Sequence, residues 1–419
     1  MIGLKKNIIF MLIYQIVNYL VPLALTPYLV RILGPSSYGE LNYSISIVLY
    51  ICLFVDFGFT LSATKRITKY IGNSDKISKL FYTVTVAKTF LLITGITILI
   101  LSISTLDTIN SVKTIIVISA IQIIATVISP LWLFNGLQLT AVFAVFNIIF
   151  KVASIPLVFF LVKTPTDVGY AAFFQTAPLF FSSILALIYL YKKKILIYTN
   201  YTPRFKLIIR TLNSSLFYYI GTMSVSLYTM STPIILGLVS TSEQVGFYSA
   251  SDKIRAAVVG VYVVIGNVIY PRVQRFYHED DNLGFQYVKK IIIAVIPLCT
   301  IASIMLFYIS PFITKYFLGE EFGESELILK IMSPMMFLIP LSIILSNYIL
   351  LGMGHKKIFS RIPMITATIH IIVATILSLK FGSIGASIAI LISEIVSFIL
   401  LFITCCKLGY IKKLCVLKI

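Results

Sequence analysis

Nine ionisable residues stand where an apolar chain has little use for charge. Lys88, Lys151, Asp56, Asp252, Lys253, Arg255, His370 and Glu394 interrupt long aliphatic and aromatic runs, and Arg31 closes one. Such groups are costly in hydrocarbon unless they face water or a partner, so each is a functional candidate. An arginine offers phosphate a planar bidentate fork, and a lysine a point charge. Plainer readings compete. Asp252 and Arg255 are three residues apart and can neutralise each other along one helix. Asp56 can pair with a lysine of a neighbouring run simply to fix packing. Lys88, about two turns inside its run, is expected to snorkel to the nearer interface. Lys151 is harder to dismiss, because about 12 residues, roughly 18 Å of helix, separate it from either end of its run. If Lys151, Lys253 and Arg255 face a common cavity, they give it a cationic surplus suited to an anion such as a phosphate.

Other chemistries find no matching pattern. There is no G-x-x-x-x-G-K-[ST] run, so a P-loop ATPase on this chain is excluded. His278, His355 and His370 are far apart and lack zinc-like companions, so neither a metal nor another cofactor is expected. Glu279, Asp280 and Asp281 are adjacent, but Arg272 and Arg275 lie close by, which reads as a solvated mixed-charge loop on the cytoplasmic side. Cys52, Cys299, Cys405, Cys406 and Cys415 form neither a disulfide framework nor a metal spacing. Nothing points to an enzyme.

The elements that must position these residues follow from composition. The 419 residues are 59% hydrophobic and 12% charged, with a mean hydropathy of +1.00, whereas a soluble domain needs about 25% charged residues. Lipid is therefore the solvent for most of the chain. A helical span takes about 20 mostly apolar residues. That window yields twelve spans, at roughly 8–32, 40–63, 80–104, 113–136, 139–162, 168–190, 211–239, 246–270, 290–313, 326–351, 361–380 and 383–404. Lys5 and Lys6 precede a run too long for a signal-peptide core, so the first span is expected to be uncleaved. The net charge of +19 would suggest nucleic acid on a soluble protein. Here about 24 of the cations fall in one set of alternating loops and about six in the other, which points to the bilayer and puts both termini in the cytoplasm. The outer loops are short; the longest, around Gly319–Ser325, carries Glu320, Glu321 and Glu324.

The two halves resemble each other. Thr26-Pro27 corresponds to Thr232-Pro233, and Tyr38-Gly39 to Val245-Gly246. Gly136 and Gly352, like Gly169 and Gly385, share an offset of 216 residues. Six spans separate equivalents, so the repeat is parallel, about a pseudo-twofold axis along the membrane normal. The expected fold is all-α: two six-helix lobes around a central cavity. We assign residues 1–194 to an N-terminal lobe, 195–210 to a cytoplasmic linker, 211–404 to a C-terminal lobe and 405–419 to a basic tail. Tyr14, Tyr19, Tyr28, Tyr43, Tyr218, Tyr219 and Tyr228 lie in spans and could stack on sugars, although membrane helices carry aromatics for other reasons.

Several stretches carry a family resemblance. Pro27-Tyr-Leu-Val-Arg-Ile-Leu-Gly-Pro-Ser-Ser-Tyr-Gly39 resembles the opening signature of bacterial polysaccharide flippases. Asp56-Phe-Gly-Phe59 with Lys65-Arg66, Val245-Gly-Phe-Tyr-Ser-Ala-Ser-Asp-Lys-Ile-Arg255 and Phe317-Leu-Gly-Glu-Glu-Phe322 are similar to later segments of the same pattern. That family belongs to the multidrug, oligosaccharidyl-lipid and polysaccharide exporters. The resemblance implies a bacterial inner-membrane protein that moves an undecaprenyl-diphosphate-linked oligosaccharide, typically an O-antigen repeat unit, to the periplasmic leaflet by alternating access. It implies diphosphate or sugar contact for Arg31, Lys151, Lys253 and Arg255. Asp56, Asp252 and Glu394 become ion-coupling or pairing groups, with Lys88 and His370 as lesser candidates. The phospholipid bilayer is the surroundings, and an O-antigen polymerase and a chain-length regulator are the implied protein partners.

Two alternatives stay open. A cation-coupled multidrug exporter predicts a cavity dominated by acidic and apolar residues, whereas lysine and arginine here match or exceed the acids. A membrane glycan polymerase or glycosyltransferase usually needs a sizeable external loop, and none is present.

Overall fold

The computed structural model describes residues 4–416, all in helices and short connections, with no strand among them. Lys418 of the basic tail lies outside the described residues, as do the side chains of Lys5, Lys6 and Lys356. In lipid every backbone polar group must be paired within the chain, and a helix does this locally. The helices are α1 (Leu4–Asp56), α2 (Phe59–Ile67), α3 (Ser74–Thr105), α4 (Asp107–Asn110), α5 (Lys113–Ser119), α6 (Ile121–Ile128), α7 (Leu131–Gly136), α8 (Thr140–Leu161) and α9 (Val168–Lys192). They continue with α10 (Phe205–Thr229), α11 (Thr232–Val239), α12 (Ser242–Glu279), α13 (Asp281–Phe312), α14 (Ser325–Met332), α15 (Met335–Ile343), α16 (Lys356–Lys407) and α17 (Tyr410–Val416).

Among the described residues, nine helices are long and apolar enough to span a membrane, and α10 with α11, bent by 53°, makes a tenth. Two of these are double-length. The stretch Phe10–Tyr70 has 61 residues and Lys357–Lys407 has 51, far more than the roughly 20 a bilayer requires. Each turns at a glycine with positive φ: Gly34 at 68° in α1 and Gly382 at 54° in α16. Pro35 follows Gly34, and a residue before proline is pushed out of the α region, so the break has a local cause. Counting both arms of each gives the twelve predicted spans. The side chains they turn outward are those of a lipid-facing surface: Val117 is 67% and Phe160 77% exposed.

Packing divides the chain into two compact units. Unit 1 comprises residues 1–21 and 32–223, and unit 2 residues 22–31 and 224–419. Two helices, α1 and α10, are each shared between the units. Within each unit a glycine lets two helix ends meet. A Cβ on Gly136 would lie 1.8 Å from Ile67 Cγ2 in unit 1, and one on Gly352 would lie 2.3 Å from the Tyr348 carbonyl and 3.0 Å from the Tyr277 ring in unit 2. The sequence repeat at these positions therefore corresponds to a shared packing device. Trp132, Phe81 and Phe134 fill the unit 1 core there, and Tyr277, Phe285 and Tyr348 the unit 2 core.

Two expectations are corrected. Glu279, Asp280 and Asp281 do not form a loop: only Asp280 separates α12 from α13, and its carboxylate accepts from Asn282 N at 2.9 Å as an N-cap. Glu279 pairs with Arg275 at 3.0 Å. In addition, Thr26-Pro27 lies inside α1, whereas its counterpart Thr232-Pro233 opens α11 at a bend, so the repeat departs from symmetry at this point.

Candidate functional site

In unit 1, span two breaks immediately after Asp56. Phe57 and Gly58 both adopt positive φ, 44° and 71°, and the ring of Phe57 stacks on Tyr219 at 4.5 Å. Gly58 is required by space as well as by φ, since a Cβ there would lie 2.7 Å from Tyr219 N. Asp56 covers the start of α2, accepting from Thr60 Oγ1 at 3.0 Å and Thr60 N at 3.4 Å. Lys88 of α3 donates to Oδ1 of this carboxylate, the oxygen that also accepts from Thr60 Oγ1, at 2.9 Å, and to the Thr126 carbonyl at 3.1 Å. Thr126 lies four residues before Pro130, which has no N–H to return, so Lys88 satisfies a carbonyl that the proline orphans. The lysine is 2% exposed. It does not snorkel to the interface, because it has partners at two helix breaks.

Lys151, near the middle of α8, takes a different kind of partner. Its ammonium donates to the side-chain carbonyl of Asn18 on α1, a neutral group, and its side chain is half-buried.

Unit 2 gathers four of the candidates. Asp252 and Arg255 on α12 form an ion pair at 2.6 Å, their side chains 27% and 10% exposed. Glu394 of α16, 6% exposed, interacts electrostatically with Arg255, as do the phenols of Tyr228 and Tyr248. Lys253 follows Asp252 and feels its carboxylate. Neither Lys253 nor Glu394 makes a hydrogen bond among the described residues. Two acids face two bases here, so the expected cationic surplus is not present in this cluster; what it has is unused hydrogen-bonding capacity. Beside it, His370 is fully buried and bridges Thr232 Oγ1 at 3.1 Å and Ser393 Oγ at 2.9 Å, holding three spans together.

Arg31 stands apart from these groups. Its guanidinium donates to the Tyr316 carbonyl, and its stem lies 3.6 Å from where a Gly319 Cβ would be, at the outer end of unit 2. Two segments of the resemblance, those ending at Gly39 and Phe322, are thereby tied together. Sequence reasoning missed Thr126, Thr60, Asn18, Thr232 and Ser393. Two of them had a signal: Thr126, with the proline four residues on, and Thr60, two residues after Gly58 at a helix start.

Residues 4–277 match the family described as polysaccharide biosynthesis protein. The chain belongs to that family. It is 30% identical over 410 residues, 96% of this chain and 97% of the other, to an Escherichia coli (strain K12) protein named "Putative O-antigen transporter". A Shigella dysenteriae protein of the same name is 28% identical over 398 residues, covering 94% of this chain and 97% of that one. Among solved structures, lipid II flippase MurJ in an inward closed conformation superposes with a TM-score of 0.73 at 16% identity, covering 98% of this chain and 90% of that one. An inward-facing MATE multidrug transporter of the MOP superfamily gives 0.62 at 14% identity, covering 94% and 98%. These two likenesses establish the fold as an all-helical, multi-pass architecture.

Proposed function

We propose that this protein is a flippase that moves an undecaprenyl-diphosphate-linked oligosaccharide, an O-antigen-type repeat unit, from the cytoplasmic to the periplasmic leaflet of the bacterial inner membrane. The observation that carries the reading is the near full-length similarity to a protein named as an O-antigen transporter. The buried polar groups support it. Lys253 and Glu394 sit inside spans without hydrogen bonds among the described residues, whereas a purely structural polar group in lipid is normally satisfied. Cationic side chains suit a diphosphate, and tyrosines such as Tyr228 suit sugar rings. Arg255 acts in this scheme as the positioned partner of Asp252 and Glu394. Alternating access then follows if cargo favours one conformation over the other.

The test is a lipopolysaccharide gel of a strain lacking this chain. Loss of the O-antigen ladder, restored by the native chain, is the expected outcome. Intact surface glycans in a strain shown to hold no second such transporter would overturn the assignment. Hypersensitivity to cationic drugs in place of ladder loss would move the chain to the multidrug-export reading.

A further inference from the structure

The cytoplasmic side of unit 1 holds a cleft that none of the span residues explains. It has a volume of about 330 Å³, and Arg66, Tyr70, Lys76, Lys79 and Tyr201 line it. Arg66 lies in the last turn of α2 and Tyr70 in the turn that follows. Lys76 and Lys79 lie in the first two turns of α3, and Tyr201 in the connection before α10. Four chain segments thus converge on one small volume.

The electrostatics of the cleft are one-sided. Arg66 is half-buried, and its guanidinium donates to a neutral group, Thr211 Oγ1, at 3.2 Å. The Tyr70 phenol and a second cation, Arg210, both act on it electrostatically. Among the described residues no carboxylate pairs with Arg66 or Lys76. The acid at the rim, Asp75, bridges Lys79 at 2.7 Å with both side chains about half exposed, and water screens an exposed pair of this kind so that it holds its partners only weakly. An arginine carries five N–H donors, and a guanidinium held beside a second cation with most donors unused is arranged for an anion from outside the chain. Two tyrosyl rings flank the same volume, and an aromatic face is what a sugar ring stacks against.

We propose that this cleft is a docking site for a phosphorylated sugar headgroup, in which Arg66 and Lys76 take phosphate oxygens and Tyr70 and Tyr201 take the first sugar. The inference rests on the flippase reading for the identity of its ligand, and it adds a place where cargo is captured at the cytoplasmic surface before it reaches the span residues. The same phosphate chemistry is offered by an anionic phospholipid headgroup, and the test separates the two.

The purified protein in phosphatidylcholine nanodiscs is titrated with two soluble analogues, farnesyl diphosphate carrying N-acetylglucosamine and farnesyl diphosphate alone. The native chain binds the sugar-bearing analogue more tightly. Arg66→Gln and Lys76→Gln each weaken both analogues about tenfold. Tyr201→Ala weakens only the sugar-bearing one, and Lys69→Ala, an exposed cation outside the cleft, changes neither. Melting temperatures within the error of the native chain show that each variant is folded. Native affinity in Arg66→Gln overturns the proposal. So does equal loss of both analogues in nanodiscs containing phosphatidylglycerol, which would make the cleft a phospholipid site. The flippase reading fails separately: an intact ladder in the deletion strain refutes it without changing these titrations.

Discussion

The buried charges of unit 1 and unit 2 look alike in sequence and differ in what they are given to do. In unit 1, Lys88 and Asp56 use each other, Thr60 and the Thr126 carbonyl, so the pair is saturated by the helix breaks it closes. In unit 2, Asp252 and Arg255 are paired, but Lys253 and Glu394 stand beside them without hydrogen bonds among the described residues. Net charge is balanced in both places, so charge count does not separate them. Satisfaction does: a group whose capacity is used by the fold has nothing left for cargo. The comparison therefore marks the Lys88–Asp56 pair as a pair used up by the fold, and Lys253 and Glu394 as groups with unused capacity.

The largest effect that tests this comparison is in unit 1. Lys88→Met leaves Asp56 without a counter-charge and the Thr126 carbonyl without a donor, and removing one partner of a buried pair costs about 3–5 kcal/mol. Asp56 keeps partial exposure, 24% of its side chain, so the lower end of that range is expected. The variant should melt far below the native protein in detergent and give little ladder. Adding Asp56→Asn removes the stranded charge, and the double variant should recover most of the melting temperature and the ladder together. A double variant that melts like the native chain yet restores no glycan would show that the pair takes part in transport.

This contrast also shows what the sequence could reveal. All twelve spans were legible, because the bilayer demands about 20 apolar residues and leaves no choice of structure. Their ends were not: α12 runs from Ser242 to Glu279, past the predicted 246–270, since helix continues into water where hydropathy gives no signal. The role of Lys88 was misjudged because its distance from the interface was weighed and the local backbone was not. Pro130 and Gly58, both visible in the sequence, create the orphaned carbonyl and the helix start that hold the Lys88–Asp56 pair in place. The Asn18 partner of Lys151 comes from a span more than a hundred residues away, and only packing could supply it.

A smaller effect tests unit 2. Lys253→Met removes a half-buried ammonium without leaving any hydrogen-bond partner behind, so the melting temperature should hold or rise slightly. If Lys253 meets cargo, ladder intensity at matched protein level should fall about tenfold, equivalent to about 1.4 kcal/mol. The comparison breaks if Lys253→Met restores a native ladder, since the unsatisfied group would then be as idle as the satisfied pair.

The smallest effect concerns His370, which lies next to the unit 2 charges but resembles the unit 1 pair in being satisfied. The Ser393 hydroxyl donates to the Ala389 carbonyl at 2.8 Å, so it accepts from His370, which places the imidazole proton on Nδ1. Nε2 is then the acceptor for the Thr232 hydroxyl. Glutamine can supply one donor and one acceptor of similar reach. His370→Gln should therefore lose no more than the net worth of one hydrogen bond, about 0.5–1.5 kcal/mol, seen as a small drop in melting temperature. The ladder should be unchanged, because nothing on the ring is left over for a ligand. If the ladder is lost while the melting temperature holds, proximity to Glu394 matters more than satisfaction, and His370 joins Lys253 among the groups that act on cargo.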